Sequence, residues 1–168
     1  EAAADLFLNR FPGKTLYAVK ANPHPAVLKT LWASGLRGFD VASIREIDLL
    51  RGVCPDAELY LMHPVKSRRT IRHAYTNGVR QLAFDCAAEL GKILVETQEA
   101  SDLHRHLRLA LPTGGSASMP LDGKYGAGFE EAVELLRSAR PVAAKLGVCF
   151  HVGSQSMDPA DYMQALAY

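Results

Sequence analysis

Apolar and polar positions follow each other along the chain as a regular succession of short strand patterns and longer helix patterns. Apolar runs predict strands at residues 15–19, 38–42, 58–62, 81–84, 106–111 and 147–152. Apolar positions at helical spacing predict helices at residues 25–34, 43–50, 67–76, 86–97 and 129–146, the last in two parts around Pro141, and a final helix from Asp158. The first five strands begin about 20 to 26 residues apart, which is the length of one strand–helix unit.

Strands that are nearly continuous apolar runs are typical of a parallel sheet covered on both faces. Two architectures fit this pattern, a doubly wound sheet and a (β/α)8 TIM barrel. No GxGxxG motif follows the first strand, which weakens a dinucleotide-binding version of the doubly wound sheet. A closed barrel needs eight strands and the sequence shows about six βα units, so a barrel would be incomplete in this chain. Residues 112–128, rich in Gly, Ser and Pro, are predicted to form a long loop.

Composition narrows the class of protein. The 168 residues are 48% hydrophobic and 22% charged, with a formal net charge of +1. These values are typical of a globular domain and exclude a disordered polyelectrolyte and a strongly basic nucleic-acid binder. No apolar run is long enough for a transmembrane helix, and the first residues do not resemble a signal peptide, so no membrane partner is expected. The three cysteines are widely spaced and form no CxxC, which favours a reducing, cytoplasmic location.

Two polar residues end the first two predicted strands. Lys20 closes the first strand in residues 17–22 (YAVKAN), and Asp40 closes the second in residues 39–43 (FDVAS). A lysine at the mouth of a barrel, partly removed from water, can form an imine with an aldehyde. A carboxylate beside it would orient polar groups around a cofactor. The plain alternatives are a solvent-facing lysine and an aspartate that caps a helix, although Ser43 already supplies an N-cap with Glu46 at capping-box spacing.

The fifth and sixth strands carry the other candidates. Arg108 lies inside an apolar strand, where a charge is costly unless it is paired or faces a polar interior. His104 and His106 lie two residues apart on one face of this strand, but no third ligand has suitable spacing, so no metal site is expected. His151 and Ser154 end the sixth strand in HVGS. Its imidazole could lie flat on an aromatic ring, and the Gly-Ser turn could bind a phosphate.

These motifs occur in one order, and together they resemble the fold-type III pyridoxal-phosphate (PLP) decarboxylases, the ornithine/arginine/diaminopimelate group. The resemblance runs from about residue 15 to residue 168. It rests on segments 17–22 (YAVKAN), 39–43 (FDVAS), 84–90 (FDCAAEL), 107–110 (LRLA), 124–126 (KYG) and 150–154 (FHVGS). The fold that it implies is a (β/α)8 TIM barrel of the alanine racemase-like type, with residues 1–168 as a partial PLP-binding barrel domain and the C-terminal β domain absent.

The resemblance also implies the site and the reaction. Lys20 would hold PLP, His151 would stack on its ring, Ser154 would bind its phosphate, and Asp40 and Arg108 would lie around them. The implied activity is decarboxylation of a basic amino acid by a cytoplasmic homodimer in polyamine biosynthesis. Ornithine or lysine is favoured as substrate because residues 62–66 (MHPVK) and Asp158 resemble ornithine-type enzymes.

Other functions of the same barrel stay open at this point. Residues 151–155 (HVGSQ) also fit diaminopimelate enzymes, and a racemase or a plain PLP carrier shares the fold. A non-catalytic relative of the antizyme-inhibitor kind would have no need of Lys20 or His151. The family's glutamate, glycine-rich phosphate loop, arginine and Cys-Asp pair are not found in this sequence. We therefore expect a fragment that is inactive alone.

Overall fold

One parallel sheet organises the part of the chain that the computed structural model describes, residues 2–111 and 124–168. Its six strands pair in sequential order: β1 Leu16–Ala18, β2 Gly38–Asp40, β3 Glu58–Leu61, β4 Gln81–Phe84, β5 His104–Arg108 and β6 Lys145–Cys149. A doubly wound sheet reverses its strand order at a switch point, and this sheet does not. The architecture is therefore α/β, with six strands in the order of an incomplete TIM barrel.

Helices alternate with the strands, as the periodicity predicts. They are α1 Ala2–Arg10, α2 Pro25–Ala33, α3 Ile44–Val53, α4 Arg68–Thr76, α5 Ala87–Glu96, α6 Phe129–Ala139 and α7 Ala160–Ala167. The predicted cap of α3 is confirmed, since the Ser43 hydroxyl accepts from the Glu46 N–H and the Glu46 carboxylate accepts from the Ala42 N–H. In the described ranges no helix is long and apolar enough to cross a membrane. All three cysteines are free thiols.

The hydrophobic core lies between the sheet and the helices. Alternate strand residues point outward into it, and Phe39, Leu82 and Leu107 have no exposed surface. The residues between them point to the barrel interior and to its carboxyl-terminal rim. Because parallel strands end at the same edge of a sheet, this packing brings the segments after β1 to β6 together.

Several predicted boundaries are wrong. The fifth strand is residues 104–108 instead of 106–111, because His104 is a sheet residue whose polar side chain hides the pattern. The helix predicted for residues 129–146 ends at Ala139, a short 3-10 turn follows at Arg140–Val142, and β6 begins at Lys145 instead of residue 147. Pairing with β5 overrides the helical propensity of this alanine-rich stretch.

The two ends of the described chain also differ from expectation. Helix α1 was not predicted, and β6 ends at Cys149 instead of residue 152, so His151 lies in the loop after the strand. Most of the loop predicted at residues 112–128 falls outside the described residues. At its end, Ala127 pairs with Leu109 in a short parallel bridge.

The interior of the barrel contains a small hydrogen-bonded network. The Gln81 amide nitrogen lies 2.7 Å from His104 Nδ1, and the Gln81 oxygen lies 2.7 Å from His106 Nε2. Gly147 faces His106, and a Cβ at that position would lie 2.7 Å from the His106 Nδ1 atom. Burial, followed by the neighbouring His104, lowers the pKa of His106.

This lowered pKa predicts a loss of stability in acid. The unfolded chain, with histidine pKa about 6.5, binds protons before the folded chain does, so the stabilisation is complete above this pH and is lost as the pH falls through it. We expect the free energy of unfolding in urea to fall less between pH 7.5 and pH 5.5 in His106→Gln than in the unchanged protein. Equal pH dependence in the two proteins would show that His106 does not contribute.

Candidate active site

Lys20 lies at the rim, directly after the first strand. Val19–Ala21 form a 3-10 turn in which Val19 is fully buried and Lys20 is exposed. The buried valine anchors the turn, so the lysine backbone is fixed while its side chain extends from the sheet. Within the described ranges the Lys20 amine makes no hydrogen bond or ion pair. It is therefore available to react with a ligand that enters the rim.

Asp40, the last residue of β2, lies within electrostatic range of this lysine. The side chain is half-buried, and one carboxylate oxygen accepts a hydrogen bond of 3.4 Å from the Met62 N–H. Burial raises the pKa of Asp40, and the Met62 hydrogen bond and the positive charge of Lys20 oppose this shift. Since Ser43 and Glu46 cap helix α3, Asp40 is not needed as a helix cap.

Arg108, the last residue of β5, carries a second positive charge to the same rim. Its Nε atom is buried and has no hydrogen-bond partner in the described part of the chain. Its carbonyl accepts from the Ala127 N–H at 2.8 Å, which fixes the backbone at the strand end. A buried donor without a partner costs free energy, and a ligand acceptor at the rim would satisfy it.

His151 and Ser154 lie in the loop after β6. The Gly153 N–H donates to His151 Nδ1 at 2.9 Å, so a neutral imidazole carries its proton on Nε2. Gly153 has φ +102°, which a glycine adopts without strain, and the half-buried Ser154 follows it. Burial, followed by the charges of Arg108 and Lys20, lowers the pKa of His151. The imidazole therefore lies within electrostatic range of both cations.

A buried ion pair that the sequence pattern did not predict lies beneath the rim. Lys66 Nζ lies 2.9 Å from Glu89 Oε1, with side chains only 2% and 3% exposed, and Lys92 Nζ lies 2.6 Å from the second Glu89 oxygen. Lys66 Nζ also donates to the carbonyls of His63 and Pro64 at 3.0 and 3.1 Å. The available signal was Lys66 itself, in the segment after β3, as Lys20 is in the segment after β1.

A further rim contact was also missed. Asp85, directly after β4, accepts a hydrogen bond of 3.0 Å from the Gly126 N–H. Gly126 has φ +103°, and a Cβ there would lie 2.5 Å from the Ala110 nitrogen. Asp85 follows Phe84 at the end of β4 as Asp40 follows Phe39 in β2, and this repeated Phe-Asp pattern could have identified it. The contact holds the end of the long loop against the rim.

Taken together, the rim fits an aldehyde cofactor with an anionic group. It offers an amine without a hydrogen bond at Lys20, a buried guanidinium atom without a partner at Arg108, and the imidazole of His151. No cluster of three or more metal-ligating side chains occurs among the described residues. The chemistry supported by this donor set is covalent attachment of a carbonyl compound and binding of an anion.

Known proteins share both the sequence and the fold. The chain is 38% identical over 152 residues to a lysine/ornithine decarboxylase of Selenomonas ruminantium, covering 89% of this chain and 37% of that protein. It is 36% identical over 165 residues to antizyme inhibitor 2 of Xenopus laevis, covering 96% and 35%. The crystal structure of the Paramecium bursaria Chlorella virus arginine decarboxylase matches with a TM-score of 0.86 at 31% identity, covering 99% and 44%.

The match covers most of this chain but only part of each relative. The chain spans somewhat more than a third of the length of the two curated relatives. The protein family described as "pyridoxal-dependent decarboxylase, pyridoxal binding domain" matches this chain over residues 1–168. The fold, the sequence similarity and the rim residues agree, and the chain belongs to the pyridoxal-binding domain family of the PLP-dependent decarboxylases.

Proposed function

We propose that the chain binds PLP through Lys20 and provides this site for the decarboxylation of a basic amino acid, ornithine or lysine in the first place. One observation carries the proposal. The exposed Lys20 amine, without a hydrogen-bond partner among the described residues, acts electrostatically on Asp40 and His151, which come from different strand ends. A solvated surface lysine has no need of two such polar neighbours.

Each rim residue has a distinct task in this proposal. Lys20 supplies the amine that attaches the cofactor, and its fixed turn limits where the attached group lies. His151, held by Gly153, supports the cofactor ring, while Ser154 offers a hydroxyl to the phosphate. Arg108 donates to an oxygen of the ligand. PLP, when bound, supplies the conjugated ring that accepts the electron pair released with the carboxylate.

Asp40 helps to orient the ligand in this proposal. Its carboxylate lies within electrostatic range of Lys20 and accepts a hydrogen bond from the Met62 N–H. A carboxylate fixed beside the point of attachment would orient polar groups around the cofactor.

The choice of substrate rests on the relatives. The Selenomonas protein is named for lysine and ornithine and the viral protein for arginine, all of them basic amino acids. A homodimer is proposed for the complete enzyme, with the amino acid as its small-molecule partner. The similarity to antizyme inhibitor 2 supports a second candidate, a protein-binding role without catalysis. The exposed Lys20 favours the enzyme.

A chimera tests the proposed reaction. The chain replaces the matching part of the Selenomonas lysine/ornithine decarboxylase, and CO2 release is measured with PLP and lysine, ornithine, arginine or diaminopimelate. We expect release from lysine or ornithine, and loss of that release in Lys20→Ala. The 168-residue chain alone is expected to release none, because it spans only part of the relatives. A folded, PLP-loaded chimera without CO2 release would favour the binding role, and exchange of the α-hydrogen without CO2 would indicate a racemase.

A further inference from the structure

His63 is held at the rim by a backbone that is anchored from below. It follows β3 in the segment between Met62, whose N–H donates to Asp40, and Lys66, which is buried. The Lys66 ammonium donates to the His63 carbonyl at 3.0 Å and pairs with Glu89. The backbone at His63 is therefore fixed, although its side chain is exposed.

A second loop fixes the imidazole itself. The His63 and Tyr125 rings meet edge to face, with centroids 5.4 Å apart and planes at 89°. Tyr125 precedes Gly126, which is bound by Asp85 at 3.0 Å. The ring contact leaves both His63 nitrogens without a hydrogen-bond partner in the described part of the chain. An oriented imidazole with unused nitrogens at the rim is suited to contact a ligand.

The charges that face His63 are mostly positive. They come from Lys66 on its own segment, Arg108 on β5 and Lys20 after β1, while Glu89 on α5 is negative and already paired with Lys66. Partial removal of the His63 ring from water, followed by these positive charges, lowers its pKa. Protonated His63 would be a third cation beside Lys20 and Arg108, and repulsion between like charges disfavours it. A bound anion attracts all three groups and therefore favours the protonated form of His63.

We propose that His63 binds an oxyanion of the ligand at the Lys20 site and takes up a proton when that oxyanion arrives. The inference rests on the proposed binding of PLP at Lys20. The oxyanion is a phosphate monoester or a carboxylate, since both are present in a PLP-dependent decarboxylase. On binding, the His63 imidazolium shares the oxyanion with Arg108. Nothing in the sequence assigns this residue a role.

The test follows the His63 ring by proton-detected NMR titration of the full chain. The His63 signal is identified by its absence in His63→Asn, a variant that keeps a polar side chain but takes up no proton. We expect the titration midpoint of His63 to rise by about 1 pH unit when PLP is bound. His73→Asn, on helix α4 beside Asp48, serves as a control that leaves this rise unchanged.

Two further ligands distinguish the source of the oxyanion. Pyridoxal lacks the phosphate, so a rise with PLP but not with pyridoxal assigns His63 to the phosphate. A rise that needs added lysine in the pyridoxal-loaded chain assigns it to the carboxylate. An adduct on Lys20, found by mass spectrometry in the same samples, together with an unmoved His63 midpoint in every arm, overturns the inference and leaves the proposed function standing. The absence of any Lys20 adduct overturns both.

Discussion

Replacing Glu89 with leucine should lower the free energy of unfolding by about 3–5 kcal/mol, because it leaves a buried ammonium without its counter-charge. The Lys66 side chain is 2% exposed and lies 2.9 Å from Glu89. Burial already lowers the pKa of Lys66, and Glu89 opposes that shift. The carbonyls of His63, Pro64 and Ala83 accept hydrogen bonds from the ammonium but supply no counter-charge. Urea unfolding followed by circular dichroism measures the change.

Glu134→Leu is the matched control. Glu134 forms an ion pair with Arg137 at 2.6 Å, but both side chains are 72% exposed, so its loss should change stability by less than about 1 kcal/mol. The double variant Lys66→Met with Glu89→Leu should be more stable than Glu89→Leu alone, because neither charge then stays buried. Equal losses for Glu89→Leu and Glu134→Leu would contradict the account of a buried pair beneath the rim.

Replacing Lys20 with arginine should abolish the covalent retention of PLP. Arginine keeps the positive charge and much of the side-chain length, but its guanidinium stays protonated and does not attack an aldehyde. After incubation with PLP, borohydride reduction and gel filtration, the absorbance of the protein-bound pyridoxyl group measures retention. We expect it to fall to the level of non-specific labelling at exposed lysines.

The comparison variant for this experiment is Lys29→Arg. Lys29 lies on the exposed surface of helix α2. Its replacement removes one reactive amine from the chain without touching the rim, so retention should be unchanged within error. If the two variants retained the same amount of PLP, Lys20 would be no more reactive than a surface lysine.

Much of the fold could be predicted because strand and helix periodicities differ. Strand β4 has the predicted bounds, and most other elements differ by one or two residues. The failures share a cause, which is that tertiary pairing decides where local signals conflict. His104 and Arg105 lie in β5 although both are polar. Arg105 is fully buried and donates to the carbonyls of Val142 and Ala100, partners that no local pattern reveals.

The candidate site was also predicted only in part from the sequence. Lys20 and Asp40 were predicted because each ends a predicted strand, and parallel strands end at one edge. Arg108 was predicted as a charge inside an apolar strand, and the structure places it at the end of β5. His63 was not assigned a role, and the Lys66–Glu89 pair was missed. The partners Lys66 and Glu89 are 23 residues apart in sequence and come together only when α5 packs beneath the segment after β3. A contact of this kind leaves no periodic signal.

The most direct test of the account is to locate the pyridoxyl group in the unmodified chain. The protein is incubated with PLP, reduced with borohydride, digested and mapped by mass spectrometry over its seven lysines. A dominant adduct on Lys20 is predicted, because its amine is exposed, makes no hydrogen bond within the described ranges and lies within electrostatic range of Asp40 and His151. Labelling spread evenly over Lys20 and exposed lysines such as Lys29 would contradict the existence of a formed cofactor site.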